Sequence, residues 1–400
     1  MRHSLYLFAL TSAVLAAAPA MADDQTGDEG IEIKPIADIR LRYETADQDN
    51  ALGTADAVTL RARGGVQAAV DGFSFLAEAE GTIEIVDDFN NTLPTDGVEP
   101  FSVVADPHNF ELNRLQIGYK SGDTSLTVGR QRIIHPGARF LGNVGWRQNE
   151  QTFDAVRAKT KVGPLKLDAT YAISQRTIFG EKSPNDAFDG DFILLRGDVD
   201  LAPVTIAPFV YSIDYDTRLA FSSATYGAEI AGVFAVGNGK IKARGIYAVQ
   251  TDIGGNPADY SADYLNLELG GSLNGFGLTA GFEKLGSDGG VQAFQTPLAT
   301  LHKFNGYADL FLVTPAAGLQ DIYVTASKGF NVPALPGLKA SVTYHQFDSD
   351  IGSIDYGNEI NAALSFKVGK VGILAKYANY SAAGFGVDTQ KFWLQAGISF

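Results

Sequence analysis

Hydrophobic and polar residues alternate with a period of two along most of the chain. Ile39-Arg40-Leu41-Arg42-Tyr43-Glu44 alternates without interruption, and Leu60-Arg61-Ala62-Arg63 repeats the pattern. Phe73, Phe75, Ala77 and Ala79 interleave with Ser74, Leu76, Glu78 and Glu80. Leu165, Leu167, Ala169 and Tyr171 oppose Lys166, Asp168 and Thr170, and Phe392, Leu394, Ala396, Ile398 and Phe400 oppose Trp393, Gln395, Gly397 and Ser399. This spacing puts one set of side chains on each face of a β-strand, so the chain reads as all-β.

The connections between these segments are of two kinds. Asp71-Gly72, Lys120-Ser121-Gly122-Asp123, Lys161-Val162-Gly163-Pro164, Gly237-Asn238-Gly239, Asn274-Gly275 and Gly369-Lys370 are tight-turn sequences, because Gly, Asn, Asp and Pro supply the backbone angles that such turns need. The intervening connections are long: 46–56, 87–110, 134–151, 176–190, 252–258, 286–319 and 348–354, with only 217–221 brief. Short turns at one end and long loops at the other describe a transmembrane antiparallel β-barrel with periplasmic turns and extracellular loops. Segments of roughly 9 to 11 tilted residues fit the apolar layer.

Strands are predicted to begin near residues 36, 57, 73, 111, 124, 152, 164, 191, 205, 222, 240, 260, 276, 320, 337, 355, 371 and 390, which makes 18. The stretch 302–312 offers one more, but two termini on the same side require an even number. The whole of 286–319 is therefore read as one external loop, able to fold inward. Sixteen strands is the alternative, if the pair near 191–216 is misassigned. Closure pairs every backbone donor and acceptor, which lets a chain without cysteine hold together in lipid.

The N-terminus is different. Arg2 and His3 precede an apolar run from Leu5 to Ala18, and Ala20-Met21-Ala22 offers a small-x-small cleavage pattern before Asp23. Residues 1–22 are expected to be a cleaved secretory signal peptide, 23–35 a short periplasmic segment, and 36–400 a single barrel domain. No later stretch stays apolar for the roughly 18 residues of a membrane helix. Loss of the leader removes one basic residue and leaves 46 acidic against 30 basic. That balance argues against nucleic acid as a partner, since phosphate binding needs a basic face.

Alternation also assigns faces. Ile39, Leu41, Leu60, Phe73, Phe75, Phe209, Tyr211, Ile213, Phe234, Leu265, Leu267 and Leu269 are expected to touch lipid. Arg40, Arg42, Arg61, Arg63, Glu78, Glu80, Glu84, Arg114, Gln116, Arg157, Lys159, Arg196, Asp198, Glu229, Lys242, Arg244, Asn266, Glu268 and Lys376 point inward. A cation facing mid-bilayer lipid costs about 2 to 4 kcal/mol, so these charges belong in the lumen. Arg130 and Arg132 follow Gly129, with Arg139 and Arg147 in the next loop. Strict alternation sends Arg130 to the lipid face, so a bulge at Gly129 or an interfacial position is expected there. Two arrangements suit the inward arginines: pairing with Glu44, Glu78, Glu80 and Glu84, or an electropositive track that selects anions.

The outer loops are acidic, with Asp47, Asp49, Asp56, Asp87, Asp88, Asp96, Glu99, Asp106, Asp186, Asp189, Asp348 and Asp350. Asp87-Asp88-Phe89-Asn90-Asn91 has oxygen donors but not the spacing of a calcium loop, so no metal and no cofactor are expected. Beyond the leader the only histidines are His108, His135, His302 and His345. Ser341 shares a face with His345 but lies roughly 13 Å along the strand, beyond hydrogen-bond reach, so no catalytic group is expected. Residues 23–35 are also too few for a plug domain.

The stretches Ile39–Glu44, Leu60–Arg63, Glu111-Leu112-Asn113-Arg114, Gly129-Arg130-Gln131-Arg132, Phe140–Asp154, Asp355–Glu359 and Asp388–Phe400 resemble the alginate export family of outer-membrane β-barrel porins. The resemblance implies an 18-stranded barrel in the outer membrane of a Gram-negative bacterium, with a basic constriction that conducts an anionic polysaccharide. On this reading Arg40, Arg42, Arg61, Arg63, Glu78, Glu80, Arg114, Arg130, Arg132 and Arg157 line the path. The expected partners are the lipid bilayer, lipopolysaccharide, and anionic or polar saccharides such as uronic-acid polymers. The strand ending at Phe400 resembles the signal read by the barrel-assembly machinery. A general diffusion porin and a non-conducting adhesin or structural barrel are the alternatives.

Overall fold

The structure is a computed structural model that describes residues 30–94 and 100–400. The expected signal peptide, Asp96 and Glu99 lie outside the described residues. Eighteen strands form one sheet. They are β1 Glu32–Gln48, β2 Ala55–Val70, β3 Phe73–Asp88, β4 Asn109–Ser121, β5 Thr124–Gln131, β6 Thr152–Val162, β7 Leu165–Arg176, β8 Ala187–Leu201 and β9 Val204–Tyr215. The sheet continues through β10 Ser223–Val236, β11 Gly239–Asp252, β12 Ser261–Leu273, β13 Phe276–Leu285, β14 Leu319–Gly329, β15 Lys339–Asp348, β16 Asp355–Val368, β17 Val371–Ala382 and β18 Thr389–Ser399. Each strand pairs antiparallel with its sequence neighbours, and β1 closes on β18 from Asp38↔Ser399 to Gln48↔Thr389. The sheet therefore has no free edge. The parity argument holds, and the pair in doubt is β8 and β9. Among the described residues no helix is long and apolar enough to cross a membrane.

The outer face carries the predicted apolar band, with Phe73 60%, Leu267 51% and Leu269 60% exposed. Strand β9 corrects one assignment. Phe209, Tyr211 and Ile213 are buried inside the barrel, while Ile206 and Val210 face out. Both faces of β9 are apolar, so alternation alone had no contrast to read. The inner face is apolar because Phe140 packs on it, 4.9 Å from Phe209 between ring centroids.

Five ladders contain bulges that re-aim side chains. The one in β4 inserts Asn113, so that both Asn113 and Arg114 reach Glu78. Gly129, with φ +113°, sits where a Cβ would lie 2.3 Å from the Leu115 carbonyl oxygen. After Gln131 the chain leaves the wall and turns inward.

Two long loops fill the lumen. Residues 132–151 enter between β5 and β6, and residues 286–318 enter between β13 and β14. Ile133, Leu141, Phe294, Leu298 and Phe311 on these loops are buried against the inward residues Tyr264, Phe347 and Trp393. The stretch 302–312 thus lies inside the barrel and adds no strand to the wall. In a third loop the described parts, 89–94 and 100–108, pack on the β1–β2 hairpin and bury Phe89 and Val104 against Ala46, Ala55 and Ala57. There Asn90 and Asn91 accept backbone N–H bonds from Thr92 and Leu93, so their side-chain oxygens serve the turn.

Candidate functional site

The inward arginines of β1 and β2 grip the loop 132–151. Arg40 donates to Gln148 Oε1 at 2.8 Å, to the Gly145 carbonyl at 2.9 Å and to the Arg147 carbonyl. Arg42 donates to the Trp146 carbonyl at 2.5 Å, to Gln395 at 2.7 Å and to Asp106 at 3.3 Å, and its guanidinium lies 4.1 Å from the Trp146 ring centre. Arg63 pairs with Glu80 and stands 3.6 Å from Glu150, while Arg61 pairs with Asp38. Arg132 binds both oxygens of Glu150, and Glu80 accepts the Glu150 backbone N–H at 3.2 Å. Arg40, Arg42, Arg61 and Arg63 are all under a tenth exposed. Arg42, Arg61 and Arg63 each meet a carboxylate, as buried charges usually do, whereas Arg40 is held by neutral oxygens alone.

The other predicted site residues fall in three places. Glu78 is the shared acceptor of Asn113 and Arg114, at 2.6 to 2.8 Å. Arg157 binds Asp168 at 2.9 and 2.5 Å, beside His135. Arg130 takes the outward side of β5, opposite Leu115 and Asp154 and next to the loop end. It binds Asp154 at 2.8 and 3.0 Å and donates to the Leu112 carbonyl, so its charge is neutralised at the rim.

Deeper in the lumen the structure assembles groups that come from strands far apart in sequence. Arg139 binds Glu283 at 2.7 Å and Thr296 at 2.9 Å, and Asn305 donates to Glu283 and Asp321. His345 faces the lumen and binds Asp321 at 2.9 Å. Across the barrel, the His302 ring stacks on Trp146 at 4.3 Å. Its Nδ1 lies 2.8 Å from Asp309 and its Nε2 lies 2.6 Å from Lys376 Nζ. Burial pushes the His302 imidazole down to about 3. The ring is therefore neutral at pH 7, with Nδ1–H donating to Asp309 and Nε2 accepting from Lys376. Arg147 bridges Glu44 and Asp309. Lys376 and Arg244 were legible as inward by alternation. Glu283, Asp321, Glu359 and Lys391 occupy the same inward phase, but their strands lack the repeated Arg-x-Arg signal of β1 and β2.

Two cavities flank this cluster. The outer vestibule, about 500 Å³, combines Arg147, Arg218 and Lys391 with Phe188, Phe221 and Leu310. The lower chamber, about 330 Å³, sets Arg244 and Lys303 beside Glu268, Tyr323, Thr325 and Thr343. Among the described residues no group of three or more acidic or histidine side chains is placed to hold a metal ion.

A sequence family described as alginate export matches residues 35–246, more than half of the chain. In fold the chain is similar to OccK9 of Pseudomonas aeruginosa, with a TM-score of 0.72 and 14% identity over 92% of this chain and 98% of that one. The outer membrane protein OpdK of the same organism gives a TM-score of 0.72 with 13% identity over 92% and 98% of the two chains. OccAB4 of Acinetobacter baumannii gives 0.70 with 14% identity and the same coverage. No curated protein matches the sequence.

Proposed function

We propose that this chain, which belongs to the alginate export family and is an outer-membrane β-barrel channel rather than an enzyme, conducts uronic-acid saccharides through its lumen. The observation that carries this reading is the make-up of the two cavities. Each is lined by cations beside groups that suit a sugar ring: Arg147, Arg218 and Lys391 among aromatic rings above, and Arg244 and Lys303 among hydroxyls below. A polymer with one carboxylate per pyranose asks for that combination, since carboxylates prefer guanidinium and ammonium partners and sugar faces pack on aromatic rings. Arg40 adds positive potential behind the loop in this reading, while Arg42, Arg61, Arg63, Arg132 and Arg157 are compensated by Asp106, Asp38, Glu80, Glu150 and Asp168. Neutral solutes of equal size gain nothing from that potential.

Planar-bilayer recording with matched panels of uronic-acid and neutral oligosaccharides tests the proposal. Uronic-acid oligomers should interrupt the current at concentrations where neutral ones do not. Equal interruption by both panels would make the barrel a general diffusion porin, and a barrel that passes no current under any condition would be structural.

A further inference from the structure

One stretch of chain separates the two cavities. Residues 299, 301, 302 and 308–310 line the vestibule, while Lys303, Phe304, Asn305 and Tyr307 line the lower chamber. Segment 299–310 is thus a septum across the lumen. It has little regular structure of its own, a single 3₁₀ turn at Leu301–Lys303. Wall side chains fasten it instead. Glu359 accepts the backbone N–H groups of Tyr307 at 2.6 Å and Ala308 at 3.0 Å. Gly306 passes so close to Glu359 that a Cβ would fall 2.2 Å from its Oε2. Asn305, Gly306 and Asp309 all have left-handed backbone, with φ of +55°, +88° and +63°. Such a bend persists only while its surroundings hold it.

The hold on Asp309 has a particular chemistry. Its carboxylate meets Arg147 Nη2 at 3.2 Å and Lys391 Nζ at 3.8 Å, and accepts from His302 Nδ1 at 2.8 Å. All four residues line the vestibule floor, so a solute entering from the loop side reaches the cations that Asp309 occupies. We propose that Arg147 and Lys391 form a carboxylate-binding subsite, that Asp309 fills it as a tethered surrogate, and that a solute carboxylate taking its place releases the septum 299–310. The inference rests on the reading that the lumen carries anionic saccharides.

Exchange of one carboxylate for another keeps the two cations paired throughout, which avoids the large cost of leaving buried charge uncompensated. A neutral sugar offers no such exchange. Opening is therefore coupled to solute charge, because only a ligand that binds the two states differently can shift them. Displacement of Asp309 also loosens Asn305 and Tyr307, which belong to the same bend.

The test uses the full-length protein in planar bilayers, with sodium glucuronate against glucose on the loop side. Wild-type channels should open more often with glucuronate and not with glucose. Asp309→Asn should open about tenfold more often without glucuronate, a usual size for such coupling, and gain nothing from adding it. Glu359→Gln loosens the septum without touching the subsite, so it should open more often yet still respond to glucuronate. Heat-dependent gel mobility checks that each barrel is folded. Wild-type opening frequency and an intact glucuronate response in Asp309→Asn would overturn the inference, as would loss of that response in Glu359→Gln. An Asp309→Asn channel that passes chloride, but from which preloaded glucuronate oligomers do not leave liposomes, supports the gate and defeats the saccharide reading instead.

Discussion

Arg139 shows what a single residue does in this lumen. It is 2% exposed and binds Glu283, Thr296 and Asn305, joining the loop 132–151 to β13 and to the loop 286–318. Arg139→Ala leaves Glu283 buried without its cation. Loop docking should weaken by about 3 to 5 kcal/mol, the usual cost of breaking a buried pair. Faster cleavage of 132–151 by protease added from outside would show it. His302 yields a pH dependence. It faces Asp309 and Tyr307 on its own loop, Lys376 on β17, Arg147 and Trp146 on the neighbouring loop, and Trp393 on β18. Its pKa falls from 6.5 to about 3 through burial. Between those values an undocked imidazole binds a proton and the docked one does not, so docking weakens as pH falls through that window and is fully restored above 6.5. Channel opening should rise between pH 7 and about pH 4.5, and His302→Phe, which keeps the ring stack, should flatten that rise.

Strand β9 is the element where period-two reading misassigned the faces. Inward Phe209 stacks on Tyr211 at 5.0 Å and meets Phe140 at 4.9 Å, whereas outward Val210 is 44% exposed. Phe209→Ala should cost about 3 to 5 kcal/mol through a cavity against the loop. Val210→Arg should cost about 2 to 4 kcal/mol by facing lipid. Urea unfolding from liposomes measures both, and a negligible cost for Phe209→Ala would return that face to lipid. Strand β5 shows the reverse case. The Gly129-Arg130 conflict was visible in sequence, and Arg130 resolves it by pairing with Asp154 at the rim.

At the scale of the whole molecule, closure decides how the barrel resists change. The β1–β18 seam pairs eleven residues from Asp38 to Gln48, and the Phe400 N–H donates to the Ala37 carbonyl at 2.8 Å. The Phe400 ring is 64% exposed and packs into no core. Phe400→Ala should therefore leave the urea midpoint of purified barrel unchanged while lowering the amount inserted in the outer membrane. Equal losses in both measurements would make the ring structural.

The strand count, the end that carries long loops, and the inward phase of nearly every charge follow from the chain alone. They are set by local rules: the alternating pleat, the backbone needs of turns, and the cost of charge in lipid. What the arginines bind does not follow. Arg40, Arg42 and Arg63 meet Gly145, Trp146 and Glu150 more than 80 residues away, and Asp309 meets Arg147 across 162. No period in the sequence encodes contacts between a wall and the loops folded inside it. Those contacts arise because a buried charge in a closed lumen needs polar partners, and only the tertiary structure shows which partner each charge found.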